Sequence, residues 1–272
     1  MRFSRKLAIA VVLVLGFSVA ALLMVQAQAQ NKPAQFLQIQ VTTVKATAVN
    51  DYEDFLKKLN AARDKTAGAP AVLMYGVNLG GPAFTYYALT TFEKFADREK
   101  FPNGRAMLTK VYGEAEANRL LKNEFDAITQ RRTEIFAYQA DQSTNPKANE
   151  PAAQFLTLQR NELIPEMNGQ YGNLMRKIKI AEEKAGDKRT IIRRTSAYGT
   201  GFTSIAITYH SKLSDRDLQN PNGGEALRKA FGDAEAAQLQ PIGNRSIRNR
   251  QTLFLNYRPD LSHPKASVSS SN

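Results

Sequence analysis

At 272 residues the chain has room for two domains, and 37 lysines and arginines against 25 acidic side chains give it a net charge of +12. It contains no cysteine and two histidines. Those counts exclude disulfides, thiolate metal sites, thiol nucleophiles and a zinc site built from nitrogen and sulfur ligands.

Arg2, Arg5 and Lys6 precede an uncharged apolar run from Leu7 to Val25, and Ala27-Gln28-Ala29 follows in the small-x-small pattern of a cleavage site. Residues 1–29 therefore read as an export signal. The alternative is an uncleaved anchor, because the 19 residues of the run also suffice to span a bilayer. Either form places the rest of the chain outside the cytoplasm, in the periplasm or cell envelope.

The first strand is Phe36–Val44, where Leu37, Ile39 and Val41 alternate with Phe36, Gln38 and Gln40. A helix follows, with Tyr52, Phe55, Leu56, Leu59 and Ala62 at helical spacing and lysines and arginines on the other face. Two strands, Val72–Val77 and Phe84–Thr91, flank the turn Gly80-Gly81-Pro82. Pro102-Asn103-Gly104 opens a second helical region through Met107, Leu108, Val111 and Tyr112. Gly113 is a joint before Glu114 restarts a helix. A last strand lies near Thr133–Tyr138.

The chain then repeats itself. Pro102-Asn103-Gly104 returns as Pro221-Asn222-Gly223, Gly113-Glu114-Ala115-Glu116-Ala117 as Gly232-Asp233-Ala234-Glu235-Ala236, and Ala34-Gln35-Phe36-Leu37 as Ala153-Gln154-Phe155-Leu156. Tyr52, Lys58 and Tyr138 recur as Tyr171, Lys177 and Tyr257, all at an offset of 119 residues (153 minus 34). A constant offset means two copies of one domain. The copies occupy residues 34–141 and 153–260, with a linker over 142–152 and a disordered tail over 261–272. The second copy begins with Phe155–Gln159. It continues with a helix through Tyr171, Leu174, Met175, Ile178 and Ala181, then the hairpin strands Ile191–Ala197 and Phe202–Tyr209 around Gly199-Thr200-Gly201. It closes near Thr252–Tyr257.

Each copy thus reads strand, helix, strand, strand, helix, strand, a ferredoxin-like α+β unit with helices on one face of an antiparallel sheet. Phe84, Tyr86 and Ala88 share one sheet face while Tyr87 and Leu89 share the other, so both faces need cover. The economical solution packs the two sheets together. On this element order and duplication the chain resembles the dimeric α+β barrel superfamily in its fused, two-copy form. That group includes antibiotic-biosynthesis-type monooxygenases, haem-degrading monooxygenases, chlorite dismutases and NIPSNAP-like proteins. The resemblance covers both copies and carries no catalytic motif, so it speaks to fold rather than activity.

No HExxH, Walker-type loop or nucleophile elbow is present. Acidic pairs such as Glu114 and Glu116, or Asp215 and Asp217, read as solvated helix starts or turns. The copies differ in charge: residues 34–141 carry 14 basic and 13 acidic side chains, residues 153–260 carry 17 and 11. Features peculiar to the second copy are the site candidates. They are Arg193 and Arg194, replacing Met74-Tyr75 or their neighbours; His210, near the position of Phe92; Tyr198 and Tyr209 in the hairpin; and Arg245 and Arg248. These last two follow Pro241, which is expected to break the final helix and leave an irregular segment. Arginine in a partly buried strand suits a carboxylate or phosphate, and one of Arg193 and Arg194 shares a face with His210.

These features describe an exported, non-catalytic module that binds a small anionic molecule or acidic envelope component through its basic second repeat. It needs no cofactor, metal or nucleic acid, meets the membrane only through its N-terminal segment, and forms an intramolecular pseudo-dimer. The alternative that the resemblance implies is a cofactor-free or haem-dependent monooxygenase, with His210 as acid–base group or axial haem ligand.

Overall fold

The computed structural model describes residues 32–146, 153–199, 201–216 and 223–264. The export segment, positions 147–152 of the linker, Pro221-Asn222, Asp217 and positions 265–272 lie outside the described residues. No helix among the described residues is long and apolar enough to cross a membrane.

The first repeat comprises β1 (Phe36–Val44), α1 (Val49–Asp64), β2 (Leu73–Leu79), β3 (Thr85–Phe92), a short α2 (Phe95–Glu99), α3 (Gly104–Tyr112), α4 (Glu114–Ala127) and β4 (Ile128–Tyr138). The second comprises β5 (Phe155–Leu163), α5 (Asn168–Lys184), β6 (Ile191–Tyr198), β7 (Thr203–His210), α6 (Gly223–Phe231), α7 (Asp233–Ser246) and β8 (Ile247–Tyr257). The expected buried stripe of α1 is observed in full. Asn103 caps α3 by accepting from the Arg105 amide at 2.9 Å. Gly113, at φ +82°, ends α3 and starts α4, and Gly232 does the same at +84°. Such angles strain any residue with a Cβ, so the G-[DE]-A-E-A repeat is a joint.

The eight strands form one closed antiparallel barrel in the order β1-β3-β2-β8-β5-β7-β6-β4. The two four-stranded sheets therefore do more than stack. They join edge to edge through β2–β8, with Tyr75 opposite Tyr257, and β4–β6, with Tyr138 opposite Arg194. Closure removes every sheet edge, the part of an open sheet most prone to mispairing. Inside the barrel lie Leu37, Ile39, Tyr75, Tyr87, Leu89, Phe136, Leu156, Leu158, Ile205, Ile207, Leu253 and Leu255. Outside, each repeat packs its helices over its own sheet, around Tyr52, Phe55, Met74 and Tyr86 in the first and Tyr171, Leu174, Ala226 and Leu227 in the second.

Four expectations need correction. α7 continues through Pro241. The ring costs one N–H donor, but Pro241 and Ala237, whose carbonyl loses that donor, are both exposed to solvent. Arg245 accordingly lies in the last turn of α7, where a cation suits the helix dipole, and Arg248 lies on β8 rather than on an irregular segment. Strands β4 and β8 begin at Ile128 and Ile247, earlier than expected. Their first halves are exposed and polar, so no apolar pattern marks them, yet they pair with β1 and β5. The linker and the tail also begin as buried structure. Gln142, Ser143 and Thr144 are buried, and so is Leu261.

These two stretches form reciprocal arms. After β4 the chain crosses onto the second repeat, where Ser143 Oγ accepts from the Arg193 amide at 2.9 Å and Thr144 bridges to Ile191. After β8 it crosses onto the first repeat, where Ser262 Oγ accepts from the Met74 amide at 2.8 Å and His263 bridges to Val72. Each half is finished by the other.

Candidate ligand-binding site

The structure scatters the residues that the sequence singled out. Hairpin pairing sets Arg193 opposite Ala206 and Arg194 opposite Ile205, which equates them with Met74 and Tyr75 of the first repeat. Arg193 shares the outer sheet face with His210, but four residues along β7 separate Ala206 from His210, roughly 13 Å at a strand's rise. Arg193 is buried against α5, donating to both Glu182 carboxylate oxygens at 3.2 and 2.7 Å and to the Gln142 carbonyl at 2.6 Å. Arg194 turns inward, donates to the Ala34 carbonyl at 2.9 Å and stacks over the Tyr138 ring. Both arginines hold the chain's own oxygens and present no fork to a ligand. Tyr198 is exposed at the strand end, Tyr209 is half-buried in the barrel wall, and Arg245 and Arg248 are exposed.

His210 takes the place of Phe92, each standing opposite the first residue of its neighbouring strand. It is 6% exposed, its Nε2 lies 2.9 Å from Thr157 Oγ1, and its ring packs near Phe254. A nitrogen held by a hydroxyl in a closed side-chain layer does not fit the axial ligand of a haem. Among the described residues no group of three or more His, Cys, Asp or Glu could hold a metal ion.

A cleft of about 430 Å³ opens elsewhere in the second repeat. Its walls are the start of α5 (Asn168, Tyr171, Gly172, Arg176), the end of β6 (Thr195, Ser196) and the arm residue Gln139, with Phe202 and Thr203 at the hairpin. Comparison with the first repeat shows why it is open. There Glu53, on α1, accepts from Tyr86 Oη at 2.7 Å and from Arg258 at 2.7 and 2.9 Å. By the 119-residue offset Gly172 stands for Glu53 and Gln139 for Arg258; strand pairing puts Ser204 in the place of Tyr86. Three long side chains that fill the first repeat's space are thus cut short in the second. A Cβ added at Gly172 would meet only Gln142 Nε2, at 3.8 Å.

Charge changes with shape. The first six residues of α1 include Asp51, Glu53 and Asp54, whereas α5 has Gln170, Gly172 and Asn173 at those positions. The positive end of the α5 dipole therefore meets no carboxylate of its own helix. In the first repeat, hydrogen bonds from Arg258 hold the Glu53 carboxyl below its ordinary 4.5, with a further bond from Tyr86, while burial and that same bond push the Tyr86 hydroxyl up. A depressed folded value means the unfolded chain binds more protons. The stabilisation is thus complete above about pH 4.5 and is lost as pH falls through the folded value. Glu53→Gln is expected to flatten the acid side of the stability profile, read as denaturation midpoints between about pH 3 and pH 7.

One acid of each G-[DE]-A-E-A repeat is paired internally. Glu116 pairs with Lys58 at 2.9 Å, and their counterparts Glu235 and Lys177 pair likewise, so the EAEA and DAEA acids tie the helices together. Sequence reading missed Glu182, Arg160, Glu134 and the whole cleft. The signal was available in the offset alignment, which shows Glu53 matched by glycine and Arg258 by glutamine.

No protein-family model matches the sequence, and no curated protein matches it. Solved structures do resemble it in fold. An anthrone oxidase-like protein superposes with a TM-score of 0.51 at 11% identity, over 86% of this chain and 97% of its own. A chlorite dismutase variant from Candidatus Nitrospira defluvii superposes with a TM-score of 0.50 at 9% identity, over 83% of this chain and 92% of its own. With its eight-stranded closure and outer helices, the chain has the dimeric α+β barrel fold, both halves of the barrel being supplied by one polypeptide.

Proposed function

We propose that this protein is an exported binding module whose second repeat takes a small organic anion in the cleft between α5 and β6. The observation that supports this is the conversion of a filled, acidic space in the first repeat into an open space without acidic lining in the second. The cleft offers amide and hydroxyl groups from Gln142, Asn168, Asn173 and Thr195, the positive end of α5, and Tyr171 and Phe202 as apolar walls. Its partner is a small molecule, and the basic balance of the second repeat favours the approach of an anion.

Calorimetric titration with benzoate, citrate and inorganic phosphate tests this. At least one is expected to bind, and Gly172→Glu, which restores the first repeat's carboxylate, is expected to weaken it by about tenfold or more. Absence of binding at millimolar concentrations, or equal binding by Gly172→Glu, would refute the reading. The likeness in fold to the anthrone oxidase-like protein favours one alternative in the same cleft, a cofactor-free monooxygenase. Oxygen uptake in the presence of an anthrone, lost in Gly172→Glu, would support that instead.

A further inference from the structure

The arm that crosses onto each repeat carries an aspartate two residues after its first position, and the two aspartates have different partners. In the first repeat Asp260 pairs with Arg258 at 2.7 Å, and Arg258 also holds Glu53. In the second repeat Arg258 is replaced by Gln139, so the arm has no cation of its own for Asp141. Asp141 reaches instead to α5, where Arg176 Nε lies 2.5 Å from its carboxylate; Arg176 also donates to Asn173 Oδ1. Arg176 is the one charged side chain among the residues that line the cleft.

The two members of this pair are 47% and 53% exposed. An ion pair so open to water contributes about 0–1 kcal/mol, and exchanging it costs little. A carboxylate in the cleft would meet the same guanidinium and take a charge-assisted, two-pronged bond, stronger than the single contact that Asp141 makes. The space it would occupy is the one that Glu53 fills in the first repeat.

Building on the cleft assignment, we infer that the ligand is a monocarboxylate, that Arg176 is its counter-ion, and that Asp141 is an internal competitor which the ligand displaces. A single guanidinium matches a single negative charge. A dianion would leave excess charge facing the displaced Asp141.

Titrations of benzoate, its neutral isostere benzamide and inorganic sulfate into the full chain and two variants test this. Asp141→Asn is expected to tighten benzoate about two- to fivefold by removing the competitor, with benzamide unchanged. Arg176→Gln is expected to erase the preference for benzoate over benzamide, and sulfate is expected to bind more weakly than benzoate throughout. In the unaltered protein, benzoate should shift the Arg176 Nε–H resonance, a readout that needs no variant to fold. Unchanged or weaker benzoate binding by Asp141→Asn, a preserved preference in Arg176→Gln, or an unmoved Arg176 resonance would overturn the exchange. If Gly172→Glu still blocks benzoate in those cases, the cleft stands and only the exchange fails. If no compound binds the unaltered protein, both fail.

Discussion

Glu182→Ala is expected to destabilise the protein by about 3–5 kcal/mol, because it strands a buried guanidinium. Glu182 and Arg193 each have 7% of their side chain exposed and meet at 2.7 Å. Glu182 also accepts from Thr144 Oγ1, the arm residue that bridges to Ile191. The loss thus removes a charge partner and loosens the arm together. Replacing both members, Arg193→Met with Glu182→Leu, is expected to recover most of the loss, since methionine already fills the equivalent position as Met74 and a buried pair often yields to apolar packing at no net cost. Denaturant midpoints at unchanged slope measure the effect. A loss below about 1 kcal/mol for Glu182→Ala would show that the pair is better hydrated than its burial implies.

The second large effect concerns the barrel interior. Arg160 Nη1 donates to both Glu134 oxygens, at 2.9 and 2.8 Å, with 10% and 7% of the two side chains exposed. By the 119-residue offset these positions are Val41 and Leu253 in the opposite repeats. The ion pair across this part of the apolar interior therefore takes one member from each half. Glu134→Leu is expected to cost about 3 kcal/mol, the low end for a broken buried pair, because Glu162 remains 3.7 Å from Arg160. Adding Arg160→Val rebuilds what the other repeat uses and is expected to restore stability to within about 1 kcal/mol. A double variant no better than Glu134→Leu alone would mean that the ion pair itself, rather than burial of its remnants, carries the energy. Double-mutant coupling separates the two cases.

Much of the architecture was legible in the residues. Alternation in Phe36–Val44 and the helical stripe from Tyr52 to Ala62 are local patterns, and local patterns survive into the fold because each needs only one neighbouring layer to bury it. Pro241 and the polar starts of β4 and β8 misled for the same reason. Exposed positions tolerate a lost helix bond, and a polar strand half can pair through its backbone without any apolar signal. The site was less legible. Arg193, Arg194 and His210 are unusual as letters, yet all three are consumed by contacts with Glu182, Ala34 and Thr157, which lie 11, 160 and 53 residues away in sequence. The cleft arises from the opposite circumstance, since its decisive residues, Gly172 and Gln139, are notable only for what they lack.

What the amino-acid sequence determined by itself is the duplication, the order of elements in each copy and the asymmetry of charge between them, because these depend on period, offset and composition. Tertiary structure alone decided that the sheets fuse edge to edge into a barrel, that the arms cross between halves, and that Arg193 and Arg194 are spent inside the second repeat while a space opens beside α5. Those outcomes depend on which side chains meet across the fold and how far each reaches, and neither quantity is written in any single stretch of chain.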